Sequence, residues 1–204
     1  MLKHLGTHAL TYLADLFTLS IRSLNFPSIW KVARIIPLLK PGKSPDDATS
    51  YRPISLLSPV VKLLESLVLL SITPHIELAE HQHGFRKGRS TTTALHLIHD
   101  QIYRGLIGVR PCSRTIMVAL DLKRAFDTVS HIRLFDDIMN TSIPLYLKHW
   151  IISYLRGRNT YVDFRDKTSS HKRMKQVVPQ GGVLSPILFN LYLSKIPQIG
   201  RAHV

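Results

Sequence analysis

The chain has 204 residues, enough to bury a sizeable core as one domain or two tightly joined lobes. Its 27 lysines and arginines against 13 aspartates and glutamates leave a formal net charge of +14, which suits a polyanionic partner, most simply nucleic acid. The single cysteine, Cys112, excludes an internal disulfide, and no stretch reaches the roughly 20 apolar residues of a membrane span.

The most apolar stretch, residues 60–72, is interrupted by Lys62 and Glu65, and the N-terminus lacks the layout of a secretion signal. Leu2, Leu5, Ala9, Leu13, Leu16 and Phe17 recur at steps of three and four, predicting a helix that opens without a capping residue. A chain that starts inside a helical pattern reads as a piece of something longer. Pro27 ends this helix, and residues 30–39, with Val32, Ile35, Ile36 and Leu38, predict a strand. A basic, turn-rich loop follows at residues 40–45.

Ser58 and Pro59 are a cap and first position for a long apolar helix over residues 58–76. Residues 81–90 form a loop with Gly84 and Gly88, and Ser90 caps a helix running to about Tyr103. Helices are predicted over residues 130–139 and 144–155, and another opens at Ser185 and Pro186. Between them, residues 160–178 read as short strands dense in Arg165, Lys167, Lys172, Arg173 and Lys175, either a solvated face or a phosphate-facing ribbon. Trp30 and Trp150 sit in apolar surroundings and read as packing residues. Helices and strands mix without regular βαβ alternation, which predicts an α+β fold.

The chemistry concentrates in four segments. Residues 115–120 are apolar and rich in β-formers, so they predict a buried strand ending on Asp121. A carboxylate there is either the cap of a following turn or a ligand for a hard cation such as Mg²⁺. Lys40, Lys43 and Arg52 could hold a triphosphate or a nucleic-acid backbone, arginine bidentately. The basic segment from His83 to Thr92 precedes a helix N-terminus, a ready anion site. In the segment from Val178 to Pro186, the paired Gly181 and Gly182 allow a ligand close to the backbone. His81 and His83 have a zinc-compatible spacing but no cysteine nearby to complete a site.

The blocks WKVARIIPLLKPGK, SYRPISLLSPVVKLLE, HGFRKGRSTTTAL, VALDLKRAFDTVSH and VPQGGVLSPILFNLYLSKIP stand in one order across most of the chain. In that order they resemble the reverse transcriptase domain of non-long-terminal-repeat (non-LTR, LINE-type) retrotransposons. The resemblance implies an α+β fold made of the fingers and partial palm of a right-hand polymerase, with residues 1–110 mainly fingers and 111–204 mainly palm. It implies Mg²⁺-dependent transfer from a dNTP to a DNA primer 3′-hydroxyl on an RNA template, in the nucleus or cytoplasm.

Residue by residue, the resemblance makes Asp121 the first catalytic aspartate and a metal ligand, with the Leu122 carbonyl on one metal. Phe126 becomes the aromatic that packs under the incoming sugar, with a core phenylalanine as its plain alternative, and Asp127 a helix cap. Arg52 and Lys40 fall near the triphosphate, and Gln180 and Gly181 line nucleotide and template. Gly84, Phe85 and Arg86 match a template-contacting loop. The family pattern continues into a Tyr/Phe-x-Asp-Asp hairpin, whereas this sequence runs through residues 198–204 without one. Two-metal transfer needs carboxylates converging on ions about 3.5–4 Å apart, so the expectation is a chain that does not polymerise by itself.

Overall fold

The computed structural model describes residues 4–107, 115–122, 125–174 and 178–194. Leu2, Cys112, Lys175 and residues 198–204, all named above, lie outside the described residues.

The core is made by helices. In α2 (Pro59–Ile72), Val61, Leu64, Val68 and Ile72 form one buried stripe at helical spacing. It meets Leu134 and Ile138 of α4 (His131–Met139), Leu147, Trp150, Ile151, Tyr154 and Leu155 of α5 (Leu145–Leu155), and Leu188 and Leu191 of α6 (Ser185–Leu193). Each such side chain contributes about 1.5–3 kcal/mol on leaving water. The first helix, α1 (Thr7–Arg22), docks through Phe17 and Ser20. Ser20 Oγ accepts from the buried Trp150 Nε1 at 3.0 Å and donates to the Asn25 carbonyl at 2.8 Å. Phe26 is enclosed edge-to-face by Trp30, Trp150 and Tyr154, so both tryptophans are packing residues. By contrast, α3 (Thr91–Ile107) buries no residue, and its start is held by reciprocal bonds between Ser90 and Thr93.

The sheet is mixed, and helix and strand combine as the α+β reading expects. Strand β1 (Val32–Leu39) pairs antiparallel with β2 (Tyr51–Leu56) and parallel with β3 (Asn159–Phe164). Two short strands, β4 (Lys167–Thr168) and β5 (Lys172–Arg173), pair antiparallel with β3. Pro53 is tolerated in β2 because that strand is at the sheet edge.

Four sequence expectations change. Residues 115–120 form no strand and lie exposed, with Ile116 at 85% and Leu120 at 75%. A strand exists only through the backbone of a neighbour, and none of the described residues runs alongside this stretch. Helix α2 stops at Ile72, and Thr73–His75 tighten into a 3-10 turn containing Pro74. The first helix starts at Thr7, after Gly6. Asp127 belongs to a 3-10 turn, Ala125–Asp127, and the residue at the cap of α4 is Ser130.

Candidate functional site

Phe126 is where the motif blocks meet. Its ring lies 6.0 Å, edge-to-face, from Phe85 and 4.7 Å from Phe189 of α6. Its carbonyl accepts from the Val178 N–H at 3.1 Å. The glycine-punctuated loop, the segment after Asp121 and the Pro179–Gly181 turn are therefore brought together. Phe126 is half-buried against the core, so packing and sugar contact are both open to it. Phe85 is exposed and holds φ at +52°, a region that costs a non-glycine residue strain.

The loop that carries Phe85 is fastened from below by Asn190, a buried amide on α6. Arg86 spends one guanidinium nitrogen on the Ala79 carbonyl at 2.8 Å, which closes the same loop. Gly84 has open space beyond Gln82, so no close approach forces a glycine there. His83 Nδ1 lies 2.8 Å from Thr93 Oγ1, and among the described residues no group of three His, Cys, Asp or Glu could hold a metal ion.

The Gln180–Gly181 turn sits against the edge of β2. The Ser55 N–H donates to the Gln180 carbonyl at 2.8 Å. Gly181 has φ +119°, and a Cβ there would lie 2.6 Å from the Ser55 carbonyl oxygen. Only glycine permits this approach. Behind the turn, Glu65 is fully buried. Burial pushes its carboxyl above the usual range, opposed by the N–H groups of Leu184 and Val183 and by the Arg158 guanidinium. Burial and the negative charge of Glu65 likewise raise the Tyr154 phenol.

Arg52 shares one face of β2 with Ile54 and Leu56, opposite Leu38 of β1. It is exposed, and its guanidinium makes no hydrogen bond or ion pair among the described residues. Lys40 is engaged: its ammonium donates to the Thr49 carbonyl at 2.8 Å. Asp47 stabilises the same loop through the Thr49 hydroxyl and N–H, which hold its carboxyl below the usual range. Lys43 is exposed beside this loop.

Asp121 and Leu122 are both exposed, and among the described residues no hydrogen bond or ring contact ties them to the Phe126 cluster. Water already solvates the exposed Asp121 carboxylate, so burial forces no metal partner on it. One carboxylate supplies only part of a two-ion site, so Asp121 would hold a metal only together with further ligands.

Sequence reasoning missed Glu65 and Asn190. Each carried a signal: Glu65 falls on the Val61–Leu64–Val68 stripe, and Asn190 interrupts an otherwise apolar helix. A polar side chain on a buried face must find partners.

The family described as reverse transcriptase (RNA-dependent DNA polymerase) matches residues 38–204. The sequence is 37% identical, over 97% of this chain, to the probable RNA-directed DNA polymerase from transposon X-element of Drosophila melanogaster. It is 35% identical over 100% of the chain to the probable enzyme from transposon BS, and 33% identical over 96% to that from mobile element jockey, both of the same species. The chain spans about a fifth of these relatives, 22%, 22% and 21% of their lengths. The matched region takes in Arg52, the Gly84–Phe85 loop, Asp121, Phe126 and the Gln180–Gly181 turn, and the chain belongs to the reverse transcriptase family, as a domain of the non-LTR retrotransposon type.

Proposed function

We propose that this chain is the nucleotide- and template-holding part of an RNA-directed DNA polymerase. The observation that carries this reading is the convergence of Phe85, Phe126 and the Gln180–Gly181 turn on one side of α6 and the edge of β2. In this reading Gln180 and Gly181 present backbone to nucleotide and template, and Phe126 packs under the sugar. Gly84, Phe85 and Arg86 meet the RNA template. Arg52, and Lys40 with the donors its Thr49 bond leaves free, face the triphosphate. Residues 1–110, with β1, β2, their basic loop and α2, correspond mainly to fingers, and residues 111–204, with α4 to α6, mainly to palm.

The complete polymerase would transfer a nucleotide from a dNTP to a DNA primer 3′-hydroxyl, with Mg²⁺ neutralising the phosphates. Asp121 and the Leu122 carbonyl would contribute to holding that metal. Among the described residues no group of three His, Cys, Asp or Glu forms around Asp121, and in this reading the chain alone binds primer–template without extending it.

The test is to incubate the purified chain with RNA template, DNA primer, dNTPs and Mg²⁺, beside Asp121→Asn. Binding with no extension in either protein is expected. Extension by the natural chain that disappears in Asp121→Asn would overturn the inactivity, and absence of binding would overturn the holding role. A second reading, a non-catalytic nucleic-acid-binding remnant, draws on the +14 charge and predicts salt-steep binding indifferent to dNTP.

A further inference from the structure

The start of α6 has no cap of its own. Leu184 stands at the cap position without a side-chain bond, so the first N–H groups need an acceptor from elsewhere. Glu65 supplies it from α2: Oε2 accepts from the N–H groups of both Val183 and Leu184, the latter at 3.2 Å. A carboxyl at this end also meets the positive end of the helix dipole.

The turn that precedes α6 closes over this group. A Cβ at Gly182 would lie 2.7 Å from Ser185 Oγ, 2.9 Å from the Tyr154 hydroxyl and 3.2 Å from Glu65 Oε2. Ser185 Oγ and the Gly182 N–H both donate to the Pro179 carbonyl. Pro179 to Ser185 is thus a loop locked at its base, with Gln180 and Gly181 at the crest touching Ser55. Tyr154 of α5 and Arg158 just beyond it are the ionisable groups facing the carboxyl. Glu65 Oε1, the Tyr154 hydroxyl and Arg158 Nη2 are buried there without a hydrogen bond of ordinary geometry.

We propose that Glu65 is a positioning residue that caps α6 from another helix and so sets where the Gln180–Gly181 turn meets β2. The proposal rests on the nucleotide- and template-lining reading of that turn. Burial holds the carboxyl above its usual range, so its titration is a signature separate from packing. Glutamine keeps an acceptor oxygen for both N–H groups; leucine keeps the bulk and removes the acceptor.

The experiment compares the ¹⁵N-labelled natural chain with Glu65→Gln and Glu65→Leu. It reads amide exchange at Gly182, Val183 and Leu184, their shifts against pH, and affinity for dTTP on a primer–template with Mg²⁺. The natural chain should show amide shifts that titrate above the ordinary glutamate range. Glu65→Gln should abolish the titration but retain exchange protection and dTTP affinity. Glu65→Leu should lose the protection and about tenfold in affinity while unfolding cooperatively. Unchanged protection in Glu65→Leu, failure of glutamine to rescue, or loss of cooperative unfolding in Glu65→Leu overturns the positioning role. If the natural chain does not bind dTTP, the functional reading falls and the exchange arm alone decides Glu65.

Discussion

Asn190 Nδ2 donates to the Gly84 carbonyl at 2.9 Å and approaches the Phe85 carbonyl at 3.4 Å, while its Oδ1 accepts from Gln82 Nε2 at 3.1 Å. One buried amide thus uses both its ends to hold the loop that presents Phe85. Asn190→Asp keeps the size but turns an acceptor toward two carbonyls, so it should destabilise the chain by about 2–3 kcal/mol. Asn190→Leu should cost less, about 1–2 kcal/mol, because it adds no repulsion. Denaturant midpoints measure both, and trypsin should cut faster after Arg86, Lys87 and Arg89 in the two variants.

Gly181 and Gly88 separate a clash from backbone strain. Both have positive φ, +119° and +76°, but only at Gly181 would a Cβ strike a backbone oxygen. Gly88→Ala should cost about 1 kcal/mol. Gly181→Ala should cost more, about 2–3 kcal/mol, and shift the Ser55 amide resonance as the turn leaves β2. Equal denaturant midpoints for the two variants would refute the close approach.

The raised carboxyl of Glu65 gives stability a pH dependence of defined sign. The folded chain keeps this proton to higher pH than the unfolded chain does, so between the two pKa values the folded state binds more protons. The Glu65 contribution is therefore fully favourable below the unfolded value, declines as pH rises through the raised folded value, and is constant beyond it. Urea midpoints of the natural chain minus those of Glu65→Gln should show this decline; a rising difference would contradict it.

The basic ribbon is tested by salt. Arg165, Lys167, Lys172 and Arg173 are exposed, Arg165 lies 5.1 Å over Phe164, and Tyr161 stacks on His171 at 5.1 Å. If these cations face phosphates, replacing all four with glutamine should flatten the dependence of log affinity on log salt by about 0.9 for each duplex phosphate no longer neutralised. An unchanged slope would make the ribbon a solvated face.

Much of the helical framework was readable because its signals are local. Ser58 with Pro59, Ser90 with Thr93, Ser130 and Pro144 each mark a start, and the apolar spacing of α2 gives its buried face. Strand β2 escaped notice because Pro53 and the short length of the run hide an edge strand. The stretch before Asp121 shows the opposite error. Its β-forming residues state a preference, but whether a neighbour is there to pair with is not encoded in those residues. At the site, the motif blocks marked Phe126, Gln180 and Gly181, while Glu65 and Asn190 stayed hidden. Their roles depend on partners more than 100 positions away, 118 for Glu65 and 106 for Asn190.

Those separations matter while the chain is being made. Glu65 leaves the ribosome 118 residues before Val183, its bonding partner, and Ser20 precedes Trp150 by 130. At roughly 5–20 residues per second, the α2 carboxyl waits on the order of ten seconds before α6 exists to receive it. Until α4 and α5 follow, the Val61–Ile72 stripe lacks most of the core it enters, and a hydrated carboxylate beside it puts a charge on that apolar face. The same group that ends up buried under the Gln180–Gly181 turn thus begins as a hydrated charge on an otherwise apolar face.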